Sequence, residues 1–219
     1  MDLRTGVLCF SCLVLAASGL VFGAKFIKRK NHLLGLEFFI LSTSATNFLI
    51  FNITGSPTLY SIAHFFDAFS RGFGVPVVGV AGLMAVTHNY KPSVRQEIFL
   101  FMISITGTIF IVNFDFLAKP LPYFYLIMWG VMMIYLCYIV KRLLEIGEAL
   151  NVVMLTLGIV SSSIIAGVYD FYKIPGEETN VVFNFFTLAL LVWSYFEVAI
   201  YYSYCALERG QGRWAAVAA

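Results

Sequence analysis

The sequence predicts an all-α fold: a polytopic integral membrane bundle of seven transmembrane helices, N-terminus outside and C-terminus cytoplasmic. Three observations predict it. The first is composition: of 219 residues, 60% are hydrophobic, 17% aromatic and only 12% charged, with mean hydropathy +0.87. Soluble domains carry about 25% charged residues, so a water-soluble globule and a disordered chain are both excluded. The second is segmentation: seven apolar runs, each near the roughly 20 residues that cross a bilayer, account for nearly the whole chain. Residues 1–219 therefore form a single transmembrane domain with no room for a soluble one. The third is the alternation of basic loops described below.

The first run, Thr5 to Ala24, is free of charge and is followed by Lys25, Lys28, Arg29 and Lys30. Arg4 and the VFGA tetrapeptide also fit a signal peptide. The run is long for that, and the basic cluster would hinder translocation. It is taken as a retained helix. The second helix spans about Leu33 to Ile53 and contains Glu37, Ser42, Thr43, Ser44, Asn47 and Asn52. Gly-Ser-Pro at 55–57 is a turn signal.

The third helix, about Leu59 to Thr87, is the most polar. It carries His64, Asp67 and Arg71, with Pro76 predicted to kink it below them, and ends at HNYKPS. The fourth spans about Glu97 to Asn113, after which Asp115, Lys119, Pro120 and Pro122 break the pattern. The fifth, about Leu121 to Val140, is stopped by Lys141 and Arg142, with KRLLEIGEALN as a short amphipathic connection. The sixth is about Leu150 to Tyr169. Asp170, Lys173, Pro175, Gly176, Glu177 and Glu178 form a loop, and Asp115, Asp170, Glu177 and Glu178 all suit solvated loop charges. The seventh, about Val181 to Leu207, contains Asn184 and Glu197; a polar tail, ERGQGRW, follows.

Loop lysines and arginines set the orientation. The turns after the first, third and fifth helices and the tail hold Lys25, Lys28, Arg29, Lys30, Lys91, Arg95, Lys141, Arg142, Arg209 and Arg213. The other side has only Arg4, Lys119 and Lys173. With that direction, His64, Asp67 and Arg71 fall in the outer half of the third helix. Spacings of three and four residues put them on one face. Asn47, Asp170 and Asn184 come from other helices at similar depth, as do Tyr123, Tyr125 and Tyr169. Charged groups inside a bilayer are expensive and mark sites or partners. His64, Asp67, Arg71, Asn47, Asp170 and Asn184 are thus the candidate ligand-binding set. Asp67 and Arg71 also suit a purely structural clamp. Glu37 and Glu197 form a second, inner candidate cluster, either snorkelling to the cytoplasmic surface or joined to Ser42 or Ser44.

Cofactor and metal signals are missing. Cys9 and Cys12 have CxxC spacing without a second pair, and the four cysteines read as small buried hydrophobes. The net charge of +2 and the composition point to the lipid bilayer as partner, with no nucleic acid. Ser44, His64 and Asp67 resemble part of the residue set of intramembrane zinc hydrolases related to alkaline ceramidase. Their HxxxH pair in the last helix is missing, and with three histidines in the chain no zinc site is expected. The topology and length are similar to those of three-plus-one-plus-three sugar carriers, without their proline-bearing helix pairs. A retinal Schiff base would need a lysine in the seventh helix, which has none. No residue role is carried over from these families.

Three functions fit. The chain binds or transports a small solute or ion in an outward-facing polar pocket. Alternatively it is an intramembrane enzyme acting on a lipid or isoprenoid, with His64 and Asp67 as an acid–base pair. A third reading is a non-catalytic subunit or sensor with a membrane-protein partner. A plasma or bacterial inner membrane is the expected location.

Overall fold

A computed structural model describes residues 2–176, 180–181 and 184–217, with side chains through residue 211. Glu177 and Glu178, the side chain of Arg213 and residues 182–183 of the seventh predicted helix lie outside the described residues. Seven helices are long and apolar enough to cross a bilayer, and among the described residues there is no strand. The protein is an all-α, multi-pass membrane protein.

The helix ends follow local chemistry. In α1 (Leu3–Lys28) the carboxylate of Asp2 accepts from the Thr5 amide at 3.0 Å. α2 (His32–Thr54) is capped by Asn31 and closed by Gly55 at φ 70°. α3 (Pro57–Thr87) starts with a proline in its first turn, where the missing N–H costs nothing. α4 (Val94–Asn113) opens with a Ser93–Gln96 capping box. α5 (Leu121–Glu145), α6 (Ala149–Tyr169) and α7 (Phe185–Val217) complete the set.

Two expected boundaries are wrong for one physical reason. Lys141 and Arg142 do not end α5, which continues to Glu145, and the ERGQGRW tail is the last part of α7. Charged residues leave the hydrocarbon without leaving the helix. Leu143 stays fully buried beyond the basic pair, and Gly147 at φ 74° makes the actual turn. The charges tie helix ends together instead: Arg29 to Glu208, and Arg209 to Glu148 at 3.6 Å.

Pro76 does not break α3. The helix widens into a π-helical stretch, Ser70–Gly79, between two α-helical parts. Widened turns accommodate a residue that cannot join the regular ladder, and they recur at functional positions.

Six helices form a closed ring in the order α1, α2, α3, α5, α6, α7, with α7 returning to α1. α4 packs on the outside of α3, and only 11% of its apolar window is buried. α1 and α2 touch most closely, because Gly19 and Gly23 form a small-xxx-small face. A Cβ built on Gly19 would stand 2.6 Å from the Phe38 carbonyl oxygen. The main apolar core fills the ring toward its basic end, with Phe26, Leu34, Phe38, Leu83, Leu136 and Tyr204 among its members. A smaller core around Cys12, Leu15 and Ala45 lies on the other side of the ring's middle. Cys9, Cys12 and Cys205 are buried as expected; Cys137 is exposed on α5.

Candidate functional site

The site is built around Arg71, at the start of the π-helical stretch. Its Nη1 lies 3.6 Å from Oδ2 of Asp67, one turn earlier on α3. Its Nη2 donates to Asp170, the C-cap residue of α6. The guanidinium also lies over the rings of Tyr169 at 3.7 Å and Tyr125 at 4.0 Å from their centroids. The Tyr169 hydroxyl donates to Asp67 Oδ2 at 2.9 Å. One cation thus serves two carboxylates, and three helices are pinned at one point. A planar fork with several donors suits this, which a lysine could not reproduce.

Asp67 faces a pocket of about 280 Å³ between α1, α2, α3, α6 and α7. The α3 and α6 side presents Tyr60, His64, Asp67 and Tyr169. The α1, α2 and α7 walls are mainly apolar and aromatic, with Leu15, Phe48, Phe185 and Trp193. Ser44 also lines the pocket, but its hydroxyl donates to the Ala63 carbonyl at 2.9 Å. Apolar walls with a few converging polar groups are the usual make-up of a small-molecule site. A second, wider pocket of about 580 Å³ adjoins it, lined by Arg4, Tyr169, Asp170, Lys173 and Asn184 among others.

The structure therefore brings His64, Asp67, Arg71 and Asp170 together. Asn184 sits at the rim, where its Oδ1 accepts from the Thr187 amide at 3.0 Å and starts α7. Asn47 does not join them. Its amide donates to the Thr43 carbonyl of its own helix at 2.8 Å, which is how a lone polar side chain in a helix satisfies itself without water. His64 is exposed and packs beside Tyr60, with ring centroids 6.1 Å apart. Among the described residues no hydrogen bond joins it to Asp67.

The inner pair differs from expectation. Glu37 and Glu197 do not snorkel; they are 0% and 2% exposed. Ser42 and Ser44 are not their partners, since each donates to a backbone carbonyl, that of Ala16 at 2.8 Å and of Ala63 at 2.9 Å. Instead the Ser18 hydroxyl of α1 donates to Glu197 Oε2 at 2.5 Å. Glu197 lies near the middle of the Phe185–Gln211 span, which ends about four residues beyond the predicted Leu207. The carboxyl of Glu37 packs against Gly74, in space that any Cβ there would occupy.

Tyr125, Tyr169, Ser18, Ser70 and Trp193 are the residues that sequence reasoning left out of the set. The two tyrosines had a signal: both begin or end helices at the depth of Arg71, and a buried guanidinium favours ring faces. Ser18 had none, being one serine in an apolar run.

No protein-family model matches the chain, and neither curated proteins nor solved structures yield a match.

Proposed function

We propose that the protein binds a small amphipathic solute with a cationic amine head in the pocket beside Asp67, and offers it passage or senses it there. The supporting observation is the asymmetry of the pocket wall. Asp67, with the ring of Tyr60 beside it, suits an ammonium group, and the aromatic and aliphatic opposite walls suit an apolar body. Arg71 divides its contacts between Asp67 and Asp170, and the Asp67 carboxylate faces the pocket. In this reading the basic loops are cytoplasmic, which opens the pocket to the outer side of a plasma or bacterial inner membrane.

The test uses two probes of similar size and opposite charge, phenethylamine and phenylacetate, on purified protein, with fluorescence of the pocket residue Trp193 as readout. The amine is expected to bind and the acid not, and Asp67→Asn weakens amine binding by about tenfold or more. Equal binding of both probes, or an unchanged affinity in Asp67→Asn, refutes it. Uptake of labelled phenethylamine into proteoliposomes then separates a carrier from a receptor. Reaction of Ser56→Cys, but not Lys91→Cys, with an impermeant maleimide on intact cells checks the orientation.

A further inference from the structure

Below the Asp67–Arg71 cluster lies a narrow cavity of about 30 Å³ between α2, α3, α5 and α7. Asp67, Ser70 and Arg71 line it from α3, Trp129 from α5, and Trp193 and Glu197 from α7. A cavity needs roughly 10–15 Å³ to hold a water, so there is room for about two. Glu197 Oε1, Ser70 Oγ and the indole nitrogens of Trp129 and Trp193 are buried with no hydrogen-bond partner among the described residues. Buried polar groups are nearly always paired, and each exception calls for a ligand or water. Both carboxyl oxygens of Glu37 are in the same condition. Glu37 stands beside Ser70, within electrostatic reach of Glu197.

We propose that Glu197 is a proton-binding site deep in the membrane, loaded from the pocket through Asp67 and this cavity, with Glu37 as a second acceptor reached past Ser70. A cavity water passes one of its protons to the Glu197 carboxylate as it takes one from the pocket side, leaving a carboxylic acid and an unchanged water with no cation resident beside Arg71. One positive charge enters the bundle, and no bond to carbon changes. The donor set selects a proton over a metal cation. Two indole N–H groups and the Arg71 guanidinium face the cavity and repel a metal ion, whereas a water chain uses donors and acceptors alike.

The apolar core on the basic side of the ring, including Phe26, Leu34, Phe38 and Leu83, leaves the pocket as the route of entry. The titratable or polar groups that face Glu197 or its cavity are Ser18 of α1, Glu37 of α2, Asp67, Ser70 and Arg71 of α3, Trp129 of α5 and Trp193 of α7. α4 contributes no lining residue. Proton loading requires no amine, so this site and the ligand reading stand or fall separately.

The test is infrared difference spectroscopy of the full chain in phosphatidylcholine nanodiscs, titrated with acid in H2O and then exchanged into D2O. A carboxylic-acid C=O band is expected to grow on acidification, to shift in D2O, and to lose the component assigned to Glu197 in Glu197→Gln, with that of Glu37 remaining. Proton uptake, read by a pH dye, falls by about one per chain in that variant. In Asp67→Asn the band remains and its D2O exchange slows about a hundredfold. Ser18→Ala, which leaves the carboxyl in place, moves the band frequency and keeps the assay decisive should Glu197→Gln not fold. An acid band and proton uptake unchanged in Glu197→Gln, a band frequency unmoved in Ser18→Ala, or exchange as fast in Asp67→Asn as in the wild type overturns the proposal. Loss of amine binding with these signals intact would refute only the ligand reading.

Discussion

Replacing Arg71 by glutamine removes the one cation shared by Asp67 and Asp170. Breaking a buried ion pair by deleting one partner costs about 3–5 kcal/mol. The Arg71, Asp67 and Asp170 side chains are 12%, 19% and 24% exposed, so partial hydration of the stranded carboxylates cuts that to about 2 kcal/mol. Loss of the guanidinium from the faces of Tyr169 and Tyr125 adds about 1 kcal/mol. The expected loss of about 3 kcal/mol is roughly a hundredfold in the folded-to-unfolded ratio. Reversible unfolding in mixed SDS micelles, followed by tryptophan fluorescence, measures it. Arg71→Lys keeps the charge but lacks the fork, and falls between wild type and Arg71→Gln. Adding Asp67→Asn and Asp170→Asn to Arg71→Gln removes the stranded charges and restores about half of the loss. An Arg71→Gln protein within about 0.5 kcal/mol of wild type, the scatter of ordinary surface substitutions, or no recovery in the triple variant, refutes the shared-cation account.

Gly19→Ala forces a methyl group to within 2.6 Å of the Phe38 carbonyl and 2.9 Å of Ser42 Cβ; such overpacking costs about 1–3 kcal/mol in the same unfolding assay. Gly130→Ala is its control. A Cβ there meets nothing within 4 Å, and the variant is expected to be neutral or stabler by up to about 1 kcal/mol. Asn31→Ala loses the cap on Leu34 at 3.2 Å and the bond to the Gly82 carbonyl at 2.8 Å. It is expected to destabilise by about 1–3 kcal/mol, since the orphaned carbonyl is buried; an unchanged unfolding midpoint would show that α2 and α3 do not depend on this bridge.

The seven spans were legible because a bilayer imposes one rule on every helix, a run of apolar residues of fixed minimal length. The outer cluster was partly legible for a related reason. Asp67 and Arg71 are one turn apart on one helix, so their pairing is a local matter of spacing. Asp170 came from a loop that looked like ordinary solvated charge. Only the ring order, which sets the end of α6 beside α3, makes it the second partner of Arg71. Asn47 shows the opposite case: a side chain at the right depth that bonds to its own helix. Depth along a helix can be counted from residue number, but its rotation relative to neighbours cannot.

The sequence by itself determined the all-α class, the number of spans, the polar face of α3 and the need for Glu37 and Glu197 to find an environment. Tertiary structure alone decided that α4 stands outside the ring, that α3 widens into a π-helical stretch around Pro76, and that Ser18 is the partner of Glu197. It also decided that both inner carboxyls lie in the packed interior instead of reaching the surface. The physical reason is the same throughout. Apolarity and helical spacing act within one segment and are written in it. Which faces meet depends on close contacts such as Gly19 on Phe38 and Gly74 on Glu37, and these belong to two segments at once.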